Sequence, residues 1–551
     1  MRNYISKVSL LDSVLFLFIF FLYYYGLGSY GLLNNNEGLY AEIPREMVET
    51  GQYVIPYLNG VPYIEKPPLL YWLIAFGYTI GGVSETTARL VPATAGVAIN
   101  VLTYFFARTT ISLQVARLGV LILSTMGGLV VFSRMVFFDV LLTLFLTGSL
   151  FLFFRWHQTH QKMHLRLFYV VLAFAVMTKG LVALGLTVLV SVVFLFVTKN
   201  DRGGRIREFL DPWGMIFFLA LVMPWHVAAG FQEKQFTWFY FINEHFLRFL
   251  GLRIPKDYYY GPLYYYLPRL FLTMLPWSFM LPLIFKKSSS DKPLITFLWV
   301  WILVFFSFFS LSQAKANYYL VTIFPALALL LAIKLAAFSR IKRIKQARQI
   351  GAVFLTFVLP CVGLLAICVR SSLPLEVQPL VTVLPVGFFW GWLGCSIGIM
   401  AICARFFKRL PFWPEVLIAL QMPFLLICSL VMAQRTEPLF SARKFMQEIP
   451  CEASSIVLYR DFEKISSVRF YARRHLPLVN SLSNDLHFGL HTSQGSSLDL
   501  SPEKFQRLLS QQEVCVIVFH EQKTNFEKTY PDARLIHQKE RIYLYKITAT
   551  K

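Results

Sequence analysis

Long apolar stretches alternate with short polar segments along most of the chain. Since roughly 17–25 mostly apolar residues can cross a bilayer as a helix, this pattern predicts about thirteen transmembrane helices. They are expected at 9–29, 88–107, 116–133, 136–154, 166–178, 180–198, 213–231, 265–285, 293–311, 317–338, 350–369, 381–404 and 411–433. The chain is therefore predicted to be a polytopic α-helical membrane protein.

The sequence after residue 433 is polar, and its apolar runs are short. SIVLYR, VCVIVFH and RIYLYKI have the character of strands, and SPEKFQRLLSQQ is typical of a helix that starts at Ser501-Pro502. We therefore predict a transmembrane domain over 1–433 and a small soluble α/β domain over 434–551. The second domain has no phosphate loop, His/Cys cluster or nucleophile motif, so no catalysis is assigned to it.

Lysine and arginine are concentrated in short loops that fall on one face of the membrane if these helices hold. The loops are 155–166, 199–207, 286–292, 340–348 and 405–409. Because such loops stay in the cytoplasm, the opposite face carries the loops at 30–87 and 232–264, the segment 312–317 and the C-terminal domain. Polar groups of these segments belong to one site. Cys451 and Cys515 would lie on this oxidising side, where they could form a disulfide.

The loop at 30–87 carries signals for three elements. A helix is expected over Tyr40–Thr50, ended by Gly51, and Pro44 favours a start near Glu42. Asn59-Gly60 between two extended runs predicts a β-hairpin. The apolar stretch LLYWLIAFGYTIGG follows two prolines and is short for a membrane span, so it predicts a helix lying in the interface plane.

Composition narrows the class further. The 551 residues are 56% hydrophobic and only 15% charged, so a soluble protein would need implausibly long buried helices. A net charge of +22 could suggest a nucleic-acid partner, but the cations cluster at the ends of apolar stretches, and we expect none. The N-terminal apolar run has no small-residue cleavage site after it, so we expect a retained first helix.

Charged residues within apolar sequence are costly and are therefore candidates for function. Asp139 follows Arg134 closely, and an ion pair between them is the structural alternative to a catalytic role. Lys179 lies near the end of a predicted span, where it either extends to the interface or binds an anion.

The loop at 232–264 contains NEHFLRFLGLRIPKDYYYG. Its His245 is either a metal ligand or a structural histidine, while Arg248, Arg253 and Lys256 can bind phosphate. The segment SLSQAKANYYL adds Lys315 and Tyr319 before a predicted span. With the carboxylates of the first loop, this set of groups is suited to recognising a lipid phosphate, with acids available for chemistry at the head group.

These residues occur in motifs that follow one another along the chain: NNEGLYAEIPREM, YIEKPPLLYW, Asp139, MTKG, MPW, NEHFLRF, LPW, KANYYL and FPALA. The ordered set resembles bacterial membrane glycosyltransferases of the GT-C fold, in particular the aminoarabinose transferases that modify lipid A, which are relatives of the protein O-mannosyltransferases. The resemblance covers residues 1 to about 430, and the presence of a C-terminal segment after them also matches the layout of the family. It implies transfer of a sugar, with inversion, from a polyprenyl-phosphate donor to a lipid A-like acceptor, at the periplasmic face of the bacterial inner membrane.

The resemblance also implies roles for particular residues. It implies four contacts to the carrier phosphate: Lys66, Lys179, Arg248 and Tyr319. Glu65 and His245 resemble a pair of ligands for a divalent metal such as zinc, and no nucleotide cofactor is implied. The catalytic residues would be Glu37, Asn36 and Asp139.

One position departs from the family pattern. Where the family usually has Asp-Glu, this chain has Asn36-Glu37. An amide cannot act as a general base, so either Glu37 takes that role or the acceptor needs no base. A phosphate acceptor is already ionised at neutral pH, so the substitution favours a phosphate acceptor if Glu37 is dispensable. If Glu37 is only structural, it stabilises the start of the following helix.

A polytopic transporter or lipid flippase without covalent chemistry is the alternative function. Transporters place polar groups near the bilayer midplane, often at broken helices. Here the polar groups gather on one face, which favours the enzyme. The expected partners are the polyprenyl-phosphate sugar donor, lipid A or another envelope glycan or lipid as acceptor, and membrane lipids.

Overall fold

The computed structural model describes residues 9–198, 202–256, 260–287, 292–339, 341–368, 386–406, 412–451, 456–492 and 495–548. These residues form two compact units. The first comprises the described parts of 1–27, 92–224 and 259–432, and the second those of 28–91, 225–258 and 433–551. The second unit thus combines most of both large loops with the C-terminal segment. The division into a membrane domain at 1–433 and a soluble domain at 434–551 stays a prediction.

The first unit is built from apolar helices, whose internal hydrogen bonds satisfy the backbone without water. Its α-helices are Leu10–Tyr24, Leu113–Ser124, Gly127–Ser133, Phe138–Thr159, Lys162–Lys179, Leu181–Val197, Arg202–Phe209, Tyr266–Thr273, Lys292–Leu311, Phe324–Phe338, Lys342–Cys368, Val386–Phe406 and Trp413–Ala419. Its 3₁₀ helices are Leu263–Tyr265, Trp277–Phe285 and Asn317–Ile323. Three further α-helices run from one unit into the other along the chain: Glu85–Thr110, Pro212–Gln232 and Met422–Phe440.

Among the described residues, a helix lies at each of the thirteen predicted positions, although not each of these helices is long enough to cross a membrane alone, and residues 369, 381–385 and 411 lie outside the described residues. Within the described residues, 7 helices are long and apolar enough to cross a membrane, or up to 9 if each of two bent pairs is one span. The bent pairs are Leu113–Ser124 with Gly127–Ser133, and Leu263–Thr273 with Trp277–Phe285. Shorter apolar helices include Leu10–Tyr24 and Leu181–Val197. The predicted class, a polytopic helical membrane protein, is confirmed.

Buried charges of the first unit are held by ion pairs and backbone carbonyls. Arg117 Nε lies 2.7 Å from Asp12 Oδ1, and Arg348 Nε lies 2.6 Å from Glu415 Oε1. Arg134 donates to the carbonyls of Leu22, Tyr23 and Tyr25. Such pairing is required because an uncompensated charge is costly in an apolar interior.

In the second unit, the sequence of the first loop forms the predicted elements. The α-helix is Asn36–Thr50, and it ends at Gly51, whose φ of 70° is the left-handed value expected of a C-terminal glycine. It begins earlier than predicted and continues through Pro44, and the charged side chains of Glu42, Arg45 and Glu46 on either side of the proline are buried in ion pairs. Strands β1 (Tyr57–Leu58) and β2 (Val61–Pro62) form the hairpin around Asn59-Gly60, and helix Leu69–Gly81 follows.

The C-terminal segment forms a mixed six-stranded sheet, which confirms the α/β prediction. The strands are β3 (Ile456–Tyr459), β4 (Leu478–Val479), β5 (Asp499–Leu500), β6 (Val514–Phe519), β7 (Arg534–Lys539) and β8 (Ile542–Ile547), in the order β5-β4-β3-β6-β8-β7. The β5-β4-β3-β6 pairs are parallel, and β8 pairs antiparallel with β6 and β7. Ser501 caps the helix Pro502–Gln511 as predicted. Cys451 and Cys515 are bonded, so the predicted disulfide is confirmed.

The other helices of the second unit are short. The α-helices are Arg248–Leu250, Arg443–Glu448, Ser467–Ala472, His487–Leu490 and Lys523–Thr529. The π-helix is Thr237–Leu247, and the 3₁₀ helices are Glu463–Ile465, Gly495–Ser497 and His520–Gln522.

Helix Asn36–Thr50 packs on helix Ser467–Ala472 of the C-terminal segment. Gly38 permits this approach, because a Cβ there would meet Ser467 N at 2.6 Å. Arg469 Nη1 lies 3.2 Å from Glu42 Oε1, and Arg469 Nη2 lies 3.1 Å from Glu46 Oε1. The first loop and the C-terminal segment therefore share a buried network of charges.

Candidate active site

The π-helix Thr237–Leu247 carries NEH and leads directly into the short helix Arg248–Leu250. π-helical turns are rare and are frequently found at functional sites. The side chain of Asn243 donates to the Ile254 carbonyl at 2.7 Å and accepts from the Ile254 N–H at 2.9 Å. This pair of bonds folds the chain back on itself, which brings Arg253 beside Glu244.

Glu244 is the centre of a group of charges that we call the Glu244 cluster: Glu65, Lys66, Glu244, Arg248 and Arg253. Glu244 Oε2 lies 3.2 Å from Lys66 Nζ and 2.9 Å from Arg248 Nη1. Its other oxygen accepts a hydrogen bond from Arg253 Nε. One carboxylate therefore holds three cations, which come from both large loops.

Glu65 completes the Glu244 cluster. Arg253 Nη2 donates to Glu65 Oε1 at 2.6 Å, and the Tyr63 hydroxyl donates to Glu65 Oε2 at 3.2 Å. Lys66 Nζ also donates to the Glu65 carbonyl at 3.2 Å. Arg253 thus links the two carboxyl groups, and the hairpin β1–β2 places Glu65 and Lys66 against them.

Access to solvent differs among the three cations. The side chains of Lys66 and Arg248 are 12% and 22% exposed, whereas that of Arg253 is 3% exposed. Lys66 and Arg248, the two cluster residues that the resemblance assigns to the carrier phosphate, are therefore more open to an arriving phosphate than Arg253, which was also a predicted phosphate-binding cation. Arg253 is enclosed, and its bonds to both carboxyl groups fit a structural role.

The pKa values of the two carboxyl groups in the Glu244 cluster are shifted in opposite directions. Burial favours the neutral acid, but the cations Arg253, Lys66 and Arg248 outweigh it and hold the pKa of Glu244 well below its usual value. For Glu65, burial prevails and raises the pKa, with Arg253 opposing the shift. Glu244 is thus the carboxylate that stays ionised and keeps the cations in place.

The C-terminal segment lies close to the Glu244 cluster. Asn484 Nδ2 donates to the Lys256 carbonyl at 2.8 Å. Burial raises the pKa of the neighbouring Asp485 well above its usual value, and the charge of Glu65 adds to the effect. The C-terminal segment therefore contributes to the surroundings of these charges, although its sequence has no catalytic motif.

Glu37 and Asn36 begin the first helix of the second unit. Both oxygens of Glu37 are bound by Arg89, with Nε to Oε1 at 2.8 Å and Nη2 to Oε2 at 2.9 Å. The Leu33 N–H also donates to Oε2, at 2.9 Å. Asn36 is half-buried at the first position of the helix. This geometry supports a structural role for Glu37, and its role as a base stays a prediction.

Three of the predicted site residues meet in the first unit. Lys179 Nζ lies 2.6 Å from Asp139 Oδ1 and 4.3 Å from the centroid of the Tyr319 ring. Asp139 is buried at the start of helix Phe138–Thr159, and Lys179 ends helix Lys162–Lys179. The ammonium of Lys179 is thus held between a carboxylate and an aromatic face, where it can contribute to binding an anion.

Glu65 and His245 are the predicted metal ligands. The Nδ1 of His245 lies 2.6 Å from the Tyr240 carbonyl. A hydrogen bond of this kind is common in metal-binding histidines, because it orients the ring so that the other nitrogen, Nε2, can bind the metal. Glu65, however, already accepts from Arg253 and Tyr63. Among the described residues, no group of three or more His, Cys, Asp and Glu could hold a metal. The hydrogen bond of His245 is compatible with metal binding, whereas the bonds that Glu65 already accepts are not. The reaction is therefore described without a metal.

Two important residues escaped the sequence argument. Glu244 lies within the NEHFLRF motif, four residues before Arg248. In a helix this spacing places the two side chains side by side, so it predicts an ion pair between them. Arg89, at the start of a predicted span, was a buried cation that needed a partner. Its partner Glu37 is far away in sequence, and no local pattern reveals such a pair.

Comparison with known families gives a match over part of the chain. The sequence profile of the family described as dolichyl-phosphate-mannose-protein mannosyltransferase matches residues 65–227. This range contains Glu65, Lys66, Asp139 and Lys179.

Longer similarities exist to individual proteins. An undecaprenyl phosphate-α-4-amino-4-deoxy-L-arabinose arabinosyl transferase of Pseudomonas savastanoi is 30% identical, with 69% of this chain and 72% of the relative covered. A protein of the same name from Shewanella sediminis is 27% identical, with 96% and 97% covered. The crystal structure of ArnT from Cupriavidus metallidurans bound to undecaprenyl phosphate has a TM-score of 0.81, with 22% identity and 98% of both chains covered. That likeness extends to the whole fold.

Proposed function

Since the chain belongs to the family of polyprenyl-phosphate-dependent glycosyltransferases that includes the undecaprenyl phosphate-α-4-amino-4-deoxy-L-arabinose arabinosyl transferases, we propose that it transfers an aminoarabinose-type sugar from undecaprenyl phosphate to lipid A. The Glu244 cluster carries this proposal, because it presents two accessible cations, Lys66 and Arg248, around a fixed carboxylate. A phosphate bound there by charge-assisted hydrogen bonds is the natural leaving group.

The reaction breaks the bond between the anomeric carbon and the carrier phosphate and forms a bond to an acceptor oxygen from the opposite face. The carrier phosphate leaves with the electron pair, and Lys66 and Arg248 stabilise its charge. Polyprenyl phosphate is a good leaving group, so it requires little acid catalysis. Asp139 and Lys179 are proposed to act on the same reaction, with Asp139 fixing the ammonium of Lys179.

The acceptor is proposed to be a phosphate group of lipid A. Asn36 cannot serve as a base, and the oxygens of Glu37 are engaged by Arg89 and the Leu33 N–H. A phosphate oxygen is already ionised and can attack without giving up a proton, whereas a hydroxyl would need a base. The surroundings of Asn36 and Glu37 therefore favour a phosphate over a sugar or serine hydroxyl.

The active site is proposed to face the periplasm of a bacterial inner membrane. The distribution of lysine and arginine in short loops supports this orientation. The disulfide between Cys451 and Cys515 supports it independently, because such bonds persist in oxidising compartments.

A divalent metal such as zinc at Glu65 and His245 is also proposed from the family resemblance, and Glu65 would have to give up its hydrogen bonds from Arg253 and Tyr63 to bind it. When bound there, it would join the two loops and add positive charge near the Glu244 cluster. Metal analysis of the purified protein tests this: one equivalent of zinc in the wild type that is lost in His245→Ala supports the site. Equal metal contents in both proteins would remove it.

Acceptor specificity tests the proposed function. The purified protein is incubated with undecaprenyl-phosphate-linked 4-amino-4-deoxy-L-arabinose and either lipid A, lipid A freed of its phosphates, or a serine peptide. We expect the mass of the added sugar only on lipid A that retains its phosphates. Transfer to the dephosphorylated lipid or to the peptide at a similar rate would contradict the proposed acceptor.

A further inference from the structure

Lys66 and Arg248 both bind the carboxylate of Glu244. Glu244 lies within 3.2 Å of Lys66 Nζ and within 2.9 Å of Arg248 Nη1, and its side chain is only 1% exposed. An ammonium has three donors and a guanidinium has five, so both cations can bind a phosphate while they keep Glu244. Glu244 is too enclosed to leave, which makes it a permanent part of the phosphate site.

A fixed carboxylate changes how the site distinguishes donor from product. The sugar-linked donor is a phosphodiester with one negative charge. The released polyprenyl phosphate is a monoester that carries about −1.5 to −2 charges at pH 7. A change of one unit in the charge of the site therefore alters the binding of the product more strongly than the binding of the donor.

We propose that Glu244 sets the charge of the carrier-phosphate site so that polyprenyl phosphate is released after transfer, and that it positions Lys66 and Arg248 for the donor. The proposal rests on the proposed function, since it assumes that these two cations bind the carrier. It assigns Glu244 a role in positioning and product release, with no contact to the reacting atoms.

The alternative is that Glu244 only stabilises the fold. A purely structural carboxylate would affect donor and product alike when it is changed. The ratio of the Ki for undecaprenyl phosphate to the KM for the sugar-linked donor separates the two cases, because damage to the fold cancels in the ratio.

The test compares Glu244→Gln, Glu244→Asp and wild type by steady-state kinetics with undecaprenyl phosphate as product inhibitor. Glu244→Gln should lower the ratio by about tenfold, because the site gains one positive charge. Glu244→Asp keeps the charge and should leave the ratio within about twofold of wild type. An unchanged or higher ratio in Glu244→Gln would overturn the proposal.

A charge-balanced pair of variants covers the case in which Glu244→Gln does not fold. Arg248→Gln removes one cation, so it should raise the ratio. Arg248→Gln with Glu244→Gln restores the original balance of charge in the Glu244 cluster, so its ratio should return toward that of wild type. If the second change leaves the ratio of Arg248→Gln where it was, Glu244 does not set the charge of the site.

The proposed function is tested separately within the same experiment. If Lys66→Ala weakens the binding of neither the donor nor the product, the carrier phosphate is bound elsewhere, and the proposed function of the cluster is wrong. If Lys66→Ala weakens the binding of both lipids while Glu244→Gln leaves the ratio of Ki to KM unchanged, only the inference about Glu244 is wrong.

Discussion

Arg89 holds the carboxylate of Glu37 by two parallel hydrogen bonds, 2.8 Å from Nε to Oε1 and 2.9 Å from Nη2 to Oε2. Arg89 also donates to the carbonyls of Tyr30 and Gly31 and lies 4.0 Å from the centroid of the Tyr30 ring. This arrangement fastens the start of helix Asn36–Thr50 to the segment that precedes it. These contacts support a structural role for Glu37, at a position to which the resemblance assigns a catalytic role.

Glu37→Gln should destabilise the protein by about 3–5 kcal/mol, because it leaves the buried Arg89 without its compensating charge. Turnover per folded molecule with a phosphate acceptor should stay within about threefold of wild type, since no base is needed. Thermal unfolding and kcat at saturating donor measure the two effects. Arg89→Gln is the matched control and should lose stability similarly. A loss of kcat of about a hundredfold in folded Glu37→Gln would show that Glu37 is the base.

Lys66→Ala and Arg248→Ala should each weaken donor binding by about 1.5–3 kcal/mol, because each removes a charge-assisted hydrogen bond to the carrier phosphate. Both variants should fold, since Glu244 keeps two cations in either case. KM for the donor at limiting concentration is the measurement. Lys234→Ala removes an exposed cation from the same loop and should leave KM unchanged. Near-normal KM in both cluster variants would exclude these residues from the phosphate site.

Asp139→Asn and Lys179→Met should each lower kcat/KM by about tenfold or more, because each breaks the pair that fixes the ammonium of Lys179. The double variant should lose little beyond the worse single variant, since the two residues act as one unit. A double loss equal to the product of the single losses would show that they act independently.

Arg348 and Glu415 provide a matched control for that prediction, because they form another buried ion pair in the same unit. Arg348→Met should lower thermal stability without changing kcat/KM of the folded protein. If Arg348→Met reduces kcat/KM as much as Lys179→Met does, the effects at Asp139 and Lys179 reflect general damage to the unit.

The double change Cys451→Ser and Cys515→Ser should destabilise the C-terminal segment by about 2–4 kcal/mol, the usual effect of removing a disulfide. Donor KM should stay the same, because neither cysteine belongs to the Glu244 cluster. Alkylation of the non-reduced, denatured wild-type protein, followed by mass spectrometry, should leave both residues unmodified. Alkylation of both thiols would contradict the bond and weaken the periplasmic assignment.

Local patterns predicted the elements that depend on neighbouring residues. Asn59 and Gly60 have φ values of 54° and 77°, which the tight hairpin requires and which this residue pair readily adopts. Gly51 and Ser501 likewise end and begin helices where the sequence placed them. Such signals depend only on a few neighbouring residues, so the sequence alone is enough to predict these turns and helix ends.

Partners that are distant in sequence could not be predicted in the same way. Lys66 and Glu244 are separated by 178 positions and Glu37 and Arg89 by 52, and nothing in either local pattern specifies the other residue. The order of the motifs along the chain predicts Lys66, Arg248, Asp139 and Lys179 as site residues. It could not show that Glu244 would bind both cations or that Arg89 would engage Glu37.

Consumption of the donor tests the central claim most directly. Purified wild-type protein in lipid nanodiscs is given undecaprenyl-phosphate-linked 4-amino-4-deoxy-L-arabinose and lipid A, and both lipid products are quantified by mass spectrometry. We predict one molecule of undecaprenyl phosphate released for each sugar added to lipid A, with release greatly reduced in Lys66→Ala. A wild-type protein that leaves the donor intact, under conditions in which its fold is verified, would contradict the assignment as a polyprenyl-phosphate-dependent glycosyltransferase.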